Sequence, residues 1–284
     1  MIEPGANALD ATWWAIRRVI VVVEELVDQA VIRADPNRTI IPGLAVDAVV
    51  VFDEDTPIEP GWAYPRSKAQ AERIIQEHHG RIPYVILRLA GLYDERTCVP
   101  TLANQIARIY ERDLQSRLYP GTTAAGQSFV HRDDMMRAFR SAIDRRDQLP
   151  RDTAILVGEP DAMSFDELQD ALGRLIHGEQ EWATLSVPPA LAKAGAWIQQ
   201  KAEPIVPDAI DQGEPPFVRP FMVDMAEDHY ALDIKRARML LDWTPQHDLR
   251  STLPQIVAAL KDDPEAWYEA NHVRPPPWLH SASA

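Results

Sequence analysis

The chain alternates between short runs of β-branched residues and longer stretches in which apolar residues recur every three or four positions. A short apolar run is typical of a strand buried in a parallel sheet, whereas apolar residues at i, i+3, i+4 and i+7 indicate an amphipathic helix. Strands are predicted at 45–52, 83–89 and 153–158. Helices are predicted at 100–111, 133–143, 165–176, 190–201 and 249–261, and a further one from about Pro65 to just before Gly80. Strands that alternate with helices predict an α/β fold with a parallel sheet.

Several residues mark the predicted ends of these elements. Ser164, followed by Glu167, forms a capping box at the start of the 165–176 helix. Asp133 and Asp233 are predicted to be the N-caps of two other helices, because a carboxylate accepts hydrogen bonds from the unpaired first-turn N–H groups. The Tyr-Pro-Gly-Thr-Thr sequence at 119–123 predicts a turn.

The first 45 residues give the weakest pattern. A helical stripe of apolar residues can be drawn from Trp13 to Ala30, which favours a helix. The Val-Ile-Val-Val-Val run at 19–23 is equally typical of a buried strand, and that alternative stays open.

Prolines become frequent from about residue 179 onwards. They predict a smaller, loop-rich region, because proline interrupts both helices and strands. We therefore expect an α/β core over residues 1–178, of which 1–50 are atypical, and a proline-rich region over 179–284 that packs on this core on the substrate side.

The chain has 284 residues, 46% of them hydrophobic, enough to bury a substantial core. Its net charge of −14 argues against nucleic acid or an anionic membrane as a partner, because both require a basic surface. The apolar run at 19–23 is far shorter than the roughly 20 residues that cross a bilayer. A single cysteine, Cys98, and the lack of a Cys/His metal spacing predict a cytoplasmic protein without a metal site.

Tyr64 and Lys68 are the main candidates for chemistry. They are four residues apart at the start of a predicted helix, so that both lie on one face of it. A phenol ionises near ~10, and proton transfer near neutrality needs this value to fall by about three units, or roughly 4 kcal/mol. One ammonium group at ~4 Å supplies about that much at an effective dielectric constant near 20.

The sequence around this pair is distinctive. An acidic, proline-containing loop at 53–60 precedes the pair, and a β-rich segment at 84–93 that ends in Gly-x-Tyr follows the helix. This order resembles the extended short-chain dehydrogenase/reductase superfamily, the NAD-dependent epimerase/dehydratase group. Residues 233–245 resemble that family's carboxy-terminal Asp-x-x-Lys-Ala-Arg-x-Leu-Leu-Gly-Trp-x-Pro signature, with Asp242 in place of the usual glycine. The resemblance covers roughly residues 53–270.

The resemblance implies a partial Rossmann-like, doubly wound parallel sheet with a smaller carboxy-terminal substrate-binding part. It also implies an NAD- or NADP-dependent oxidoreductase, epimerase or dehydratase that transfers hydride to or from a small molecule, and it leaves a homodimer open. In the family the tyrosine is the acid/base, and the lysine lowers its pKa and holds the nicotinamide ribose; these roles fall on Tyr64 and Lys68.

Four other residues receive expected roles from the same resemblance. Leu89 and Gly91, at the end of a strand, are expected near the cofactor. His131 and Gln127, in the segment that leads into the helix at 133, are expected near the substrate.

The chain departs from the family in its first 60 residues. The family opens with a strand, a Gly-x-x-Gly-x-x-Gly loop that approaches the pyrophosphate, and a helix, but the only glycines before Gly61 are Gly5 and Gly43. Either this half of the dinucleotide site has been lost or replaced, or another chain supplies it, or residues 1–50 are an altered start of an ordinary enzyme. The family's catalytic Ser or Thr has only Thr39 as a counterpart at the expected spacing.

Two functions remain open. One is an NAD(P)-dependent enzyme that uses Tyr64 and Lys68. The other is a non-catalytic protein of the same fold that binds a ligand or a partner. A nucleotide-sugar substrate is not favoured, because the family's arginine is replaced by Gln127 or Ser128, and bidentate guanidinium contacts commonly hold a diphosphate.

Overall fold

The computed structural model describes residues 19–24, 50–58, 63–120, 123–187 and 230–281. The strands in these ranges are β1 (Val19–Glu24), β2 (Val50–Phe52), β3 (Tyr84–Leu89), β4 (Gly91–Tyr93), β5 (Leu118–Pro120), β6 (Gly126–Gln127), β7 (Phe129–His131), β8 (Thr153–Val157), β9 (Met163–Ser164), β10 (Leu185–Val187) and β11 (Tyr230–Leu232). The helices are α1 (Ala63–His78), α2 (Pro100–Glu111), α3 (Arg132–Asp144), α4 (Phe165–His177), α5 (Lys235–Leu241), α6 (Leu249–Asp262), α7 (Pro264–Ala270) and α8 (Pro277–Ser281), with a 3-10 helix at Leu114–Arg117.

The central sheet is parallel, with the strand order β1-β3-β8. Val19 is in register with Tyr84, and Glu24 with Leu89, so that β1 and β3 end at the same level. Leu89 is in turn in register with Val157 of β8. The predicted α/β fold with a parallel sheet is confirmed.

Helices cover both faces of this sheet. Val85, Leu87 and Leu89 pack on one face in a buried cluster with residues of α3 and α5, including Ala138 and Ala237. On the opposite face, Tyr84 and Ile86 pack against Ile75 of α1. Successive residues of a strand point to opposite faces, so the apolar run in β3 is buried on both sides, as in doubly wound folds.

A second buried cluster joins α2, α4, α6 and α7. Leu102 and Ile106 of α2, Leu172 of α4, Leu253 of α6 and Tyr268 of α7 are all buried in it. The predicted bounds of α2 are confirmed, and so is the Ser164 capping box that begins α4. Among the described residues, no helix has the length and apolar character needed to cross a membrane.

The favoured helix between Trp13 and Ala30 is wrong at residues 19–24, which form β1 beside β3. Five of these six residues are Val or Ile, whose branched side chains pack well on a pleated surface. The other residues of that predicted helix lie outside the described ranges, as do Thr39 and the helix predicted at 190–201.

Two further predictions require correction. The turn predicted at 119–123 is wrong at Tyr119 and Pro120, which lie in β5 and pair in parallel with β10. Within the described residues, the turn is observed at Thr123 and Ala124. Asp233 lies one position before the N-cap of α5, Ile234, although its carboxylate still accepts a hydrogen bond of 3.0 Å from the Lys235 N–H.

The carboxy-terminal signature joins the core through a strand and a helix. β11 pairs in parallel with β2, and Asp233 N donates to Phe52 O at 2.7 Å. The helix α5 ends at Asp242, which has a φ of 52°. This left-handed conformation favours glycine at helix ends, and glycine is the residue that the resembled signature has at this position.

Candidate active site

The helix α1 carries the Tyr64–Lys68 pair in its first two turns. Pro65 is accepted there because the first turn leaves its N–H groups unpaired. The helix ends at His78, and Gly80 follows in a left-handed conformation with a φ of 61°. Lys68 is half-buried, whereas the side chain of Tyr64 lies outside the described part of the structure.

The direction of α1 relative to β3 follows from three contacts. Glu72 binds Arg88, near the end of β3. Ile75 packs farther back along the strand, in the cluster with Ile86 and Tyr84. The ring of His79, just after the helix, meets the ring of Tyr84 at a centroid distance of 5.0 Å. The helix and the strand are therefore antiparallel, and the start of α1 lies toward the carboxyl end of β3.

The height of the pair above the sheet follows from helix geometry. At about 1.5 Å per residue, Lys68 is about 6 Å and Tyr64 about 12 Å beyond Glu72 along the helix axis. The strand β3 continues for only one residue after Arg88, to Leu89. The first turn of α1 thus extends past the carboxyl ends of the strands, where α/β sheets bind their ligands.

The segment 89–91 forms the edge of the sheet below this turn. Leu89, Ala90 and Gly91 are all buried in this structure, so the expected contact of Leu89 and Gly91 with a cofactor stays a prediction. Ala90 N donates to Val157 O at 3.0 Å, and Gly91 begins β4. At Gly158 an added Cβ would lie 2.8 Å from the Ala90 Cβ, which shows how closely the chains pass each other at this edge.

Arg88 holds α1 and the acidic loop together. Its Nη2 donates to Glu72 Oε1 at 2.5 Å and its Nε donates to Glu72 Oε2 at 3.3 Å. Its Nη1 donates to the carbonyl oxygen of Glu54 at 2.7 Å. Arg88 and Glu72 are 9% and 2% exposed, so this ion pair is largely removed from water.

Gln127 lies near the same edge of the sheet. It is half-buried, and its Nε2 donates to Thr101 Oγ1 at 3.2 Å. The strand β7 begins two residues later at Phe129, which is in register with Gly91. Gln127 therefore lies near the height of the sheet at which β3 ends.

His131 lies at the other end of β7, in register with Tyr93. It is 1% exposed, and its Nδ1 accepts a hydrogen bond of 3.2 Å from the Asp133 N–H, so that His131 is the N-cap of α3. The prediction of Asp133 as this cap is wrong, because the helix begins one residue earlier, at Arg132. The register of β7 thus places Gln127 near the level of Gly91, whereas His131 makes a helix-capping contact at the other end of that strand.

Three groups near α3 could be considered as metal ligands. Each of His131, Asp133 and His247 offers a ligand atom within 4.8 Å of the others. The two imidazole rings, however, are stacked at a centroid distance of 4.0 Å and an interplanar angle of 18°. Their nitrogen lone pairs lie in nearly parallel ring planes and do not converge on one point, so the arrangement supports no metal assignment.

Asp134 is a buried carboxylate that the sequence did not single out. Burial alone would raise its pKa, but hydrogen bonds from Arg137 and from the N–H groups of His247 and Gln246 outweigh this and lower the pKa. The two N–H groups lie 2.9 Å from Asp134 Oδ2. Asp134 thereby joins α3 to the segment after α5.

Glu159 is a second buried carboxylate, two residues after the end of β8. Burial raises its pKa to about 7, although the Tyr93 hydroxyl and the Leu249 N–H donate to it. These hydrogen bonds measure 2.7 Å and 3.1 Å. The available sequence signal was a carboxylate immediately after a buried strand, Ile155 to Gly158, at the carboxyl edge of a parallel sheet.

The strands beside β3 place no hydroxyl side chain at its carboxyl end. The sequence of β1 is Val-Ile-Val-Val-Val-Glu and that of β8 is Thr-Ala-Ile-Leu-Val, in which Thr153 lies at the opposite end of the strand from the carboxyl edge. Thr39, the predicted hydroxyl, lies outside the described residues.

Comparisons with known proteins agree with this architecture. Residues 45–158 match the model of the NAD dependent epimerase/dehydratase family. No curated protein matches the chain significantly.

Solved structures share the fold at low sequence identity. A dTDP-glucose 4,6-dehydratase from Bacillus anthracis in complex with NAD is 14% identical, with a TM-score of 0.56, over 93% of this chain and 68% of that one. An epimerase from Methanothermobacter thermautotrophicus is 15% identical, with a TM-score of 0.59, over 93% of this chain and 66% of that one. A UDP-glucose 4-epimerase from Thermotoga maritima with UDP-glucose is 15% identical, with a TM-score of 0.54, over 89% and 66%.

The chain spans about two thirds of the length of these structures. The doubly wound Rossmann-like fold implied by the sequence is confirmed by this likeness. The match to the NAD dependent epimerase/dehydratase family model covers residues 45–158, which contain the Tyr64–Lys68 pair, and it agrees with the resemblance of the sequence to that group.

Proposed function

We propose that this protein is an NAD(P)-dependent oxidoreductase of the epimerase/dehydratase type, with Tyr64 as acid/base and Lys68 as the group that lowers the pKa of the phenol. The observation that carries the proposal is the course of α1. The Glu72–Arg88 pair holds this helix antiparallel to β3, so that its first turn extends past the carboxyl edge of the sheet. Proton transfer at a bound ligand requires a titratable group at such an edge.

Each residue of the pair has a defined task in this proposal. The nicotinamide, when bound, supplies the hydride acceptor or donor. The Tyr64 phenolate accepts the proton of a carbinol hydroxyl during oxidation, and the phenol returns a proton to the carbonyl oxygen during reduction. The Lys68 ammonium favours the phenolate electrostatically and donates hydrogen bonds to ribose hydroxyls.

The described residues fit one end of a dinucleotide better than the other. Lys68 suits the nicotinamide ribose, because the first two turns of α1 extend beyond the carboxyl end of β3. The pyrophosphate end has no glycine-rich loop in this sequence, whose first glycines are Gly5, Gly43 and Gly61. NAD is present in the similar B. anthracis structure, and this supports an NAD-type cofactor here.

Calorimetric titration with NAD, NADH, NADP and NADPH tests the cofactor. We expect binding at or below millimolar concentration and a preference for one of the four. Absence of binding by all four at millimolar concentration would contradict the enzyme proposal.

A Tyr64→Phe variant tests the chemistry. We expect it to keep cofactor binding and to lose turnover by about 10²-fold or more, as is typical when an acid/base group is removed. Substrate oxidation is followed by the absorbance of the reduced nicotinamide. Unchanged turnover would exclude proton transfer by this tyrosine.

The second candidate function is ligand binding without redox chemistry, and one observation favours it. The strand next to β3, β1, has no Ser or Thr to polarise a substrate oxygen. In that case a cofactor or sugar nucleotide would bind with equal affinity to the parent chain and to Tyr64→Phe, and neither protein would oxidise any substrate tested.

The two-domain division at residue 178, a homodimer and a cytoplasmic location remain predictions.

A further inference from the structure

The segment that carries Tyr64 and Lys68 is fixed on both sides by one residue. Before the pair, the carbonyl oxygen of Glu54 accepts from Arg88 Nη1 at 2.7 Å. After the pair, the Glu72 carboxylate accepts from Arg88 Nη2 and Nε at 2.5 Å and 3.3 Å. Arg88 is itself part of β3, whose neighbours on both sides are strands of the central sheet.

Glu54, which Arg88 binds before the pair, is itself held by contacts with β8 and α5. Glu54 is 7% exposed, and its Oε1 accepts from the Leu156 N–H of β8 at 2.8 Å. Its Oε2 lies 3.4 Å from Arg236 Nε, in α5. Arg88 therefore binds a loop whose position is already determined by β8 and α5.

The contact after the pair determines the rotation of the helix. Tyr64, Lys68 and Glu72 are spaced by four residues, so they form one stripe along α1 that drifts by only about 40° per step. Glu72 is 2% exposed and directed at the sheet by its two hydrogen bonds to Arg88. The bond to Glu72 thus sets the direction in which Lys68 and the first turn face.

Only arginine can make all of these contacts from this position. Its planar guanidinium presents donors in a rigid fork that matches both oxygens of a carboxylate, with a further N–H left for the Glu54 carbonyl. A lysine at the same place would keep the charge, but its single ammonium is a point donor on a flexible stem.

We propose that Arg88 is a positioning residue for the Tyr64–Lys68 pair, because it holds the chain before the pair and the helix after it at a fixed height above the carboxyl edge. The proposal rests on the function proposed above. It extends that function to a residue that we expect to touch neither substrate nor cofactor. Arg88 acts by fixing the rotation and height of the first turn of α1, and with them the surroundings in which the Tyr64 phenol ionises.

The test measures the ionisation of Tyr64 and needs no substrate. Tyrosinate absorbance is titrated in the parent chain and in Tyr64→Phe, and the difference isolates Tyr64 from the other six of the seven tyrosines. The same pair of titrations is then made with Arg88→Lys. We expect a midpoint well below the ordinary value of about 10 in the parent, and a return toward it by about one unit or more, a tenfold change, with Arg88→Lys.

Arg137→Lys is the matched control. Arg137 also binds a buried carboxylate and a backbone carbonyl, since its Nε donates to Asp134 at 3.1 Å and its Nη2 donates to Thr244 O at 2.7 Å. It lies in α3, on the other side of the sheet from α1. We expect it to reduce stability to a similar extent without moving the Tyr64 midpoint.

The possible results separate the two proposals. A parent midpoint near 10 would overturn the function assigned to the pair, and this inference with it. Two results would overturn the positioning role of Arg88 and leave the proposed function standing. In one, the parent midpoint is lowered and Arg88→Lys does not change it. In the other, Arg88→Lys and Arg137→Lys shift the midpoint equally. If Arg88→Lys does not fold, Glu72→Gln, which keeps one acceptor oxygen and nearly the same volume, is titrated in its place with the same expected shift.

Discussion

Two buried carboxylates, Asp134 and Glu159, bind the same short segment of chain and respond to burial in opposite ways. Asp134 accepts from the N–H groups of Gln246 and His247, and Glu159 accepts from the N–H group of Leu249. They are 0% and 7% exposed. The pKa of Asp134 is nevertheless lowered, whereas that of Glu159 is raised to about 7.

The charge of the neighbours accounts for this difference. Burial penalises both carboxylates, but Asp134 is paired with the guanidinium of Arg137. Glu159 is paired with a neutral phenol, Tyr93, and the carboxylates of Asp248 and Asp134 raise its pKa further. Two N–H donors and a cation overcome desolvation, whereas a phenol and one N–H do not.

Removal of the paired carboxylate should have the largest effect. In Asp134→Ala, the N–H groups of Gln246 and His247 lose their carboxylate acceptor, and the Arg137 guanidinium loses its ion pair. We expect the free energy of unfolding to fall by about 3 kcal/mol, the lower end of the range for a broken buried pair, because Arg137 is partly exposed. Urea denaturation measures it.

Asp133→Ala is the control for this change. Asp133 is exposed in the first turn of the same helix and should cost less than about 1 kcal/mol, the usual value of a charge at a helix N-terminus. Equal losses in the two variants would show that the buried pair contributes nothing beyond helix electrostatics.

Glu159→Gln should change the pH dependence of stability. Because the pKa of Glu159 is raised in the folded state, the folded protein holds this proton more tightly than the unfolded chain does. Its contribution is present below the unfolded pKa of about 4.3 and is lost as the pH rises through about 7, by up to about 3 kcal/mol. Asp134, whose pKa is lowered, acts in the opposite direction and loses its contribution as the pH falls.

Denaturation of the parent and of Glu159→Gln across this pH range measures the effect. The variant should gain stability relative to the parent with rising pH, with the gain complete above about 7. A constant difference between the two proteins at every pH would mean that the Glu159 carboxylate titrates normally.

Tyr93→Phe removes the phenol that donates to Glu159 at 2.7 Å. We expect a loss of about 1.5 kcal/mol, typical of a hydrogen bond to a charged group, and a further rise in the pKa of Glu159. Tyr268→Phe is matched to it, because that phenol donates to Glu111, which is only half-buried. The Tyr93 variant should therefore lose more stability than the Tyr268 variant in chemical denaturation, and the reverse order would be inconsistent with the burial of Glu159.

Asp242→Gly should have the smallest effect, and it is stabilising. Asp242 ends α5 with a φ of 52°, just before the segment that Asp134 and Glu159 hold. Glycine removes backbone strain of about 1 kcal/mol at such a position. The lost pair with Arg145 is worth little, because Asp242 is 82% exposed.

Thermal denaturation should therefore show a gain of about 0.5 kcal/mol for Asp242→Gly. Gly178→Asp at the end of α4, where φ is 77°, is the reverse change and should lower stability. A loss of stability in Asp242→Gly would contradict strain at that position.

Local pattern predicted the longer helices and the strands β2, β3 and β8, but not two-residue strands such as β6 and β9. The bounds of α2 follow from apolar spacing and from Pro100, and the start of α4 from its capping box. The strand β1 was missed because its apolar residues also fit a helical stripe, and what decides between the two is pairing with β3, about 65 residues away.

The candidate site was only partly accessible to the same reasoning. The spacing of Tyr64 and Lys68 is local, so the sequence could point to it. The partners that hold the surrounding structure are distant in sequence: Arg88 and Glu72 are separated by 16 positions, Tyr93 and Glu159 by 66, and Asp134 and His247 by 113. A single sequence contains no signal for such pairs beyond the presence of opposite charges.

The pairing of β2 with β11 has a consequence for how the protein is made. β2 leads into the acidic loop and α1, yet its partner strand lies near the other end of the chain, and Arg236 reaches back over 181 positions to Asp55. During synthesis β2 and the acidic loop therefore emerge long before the residues that bind them. Contacts of such high sequence separation form late and slowly. We therefore expect the first half of a nascent chain to stay incompletely folded until residues 230–238 have been synthesised.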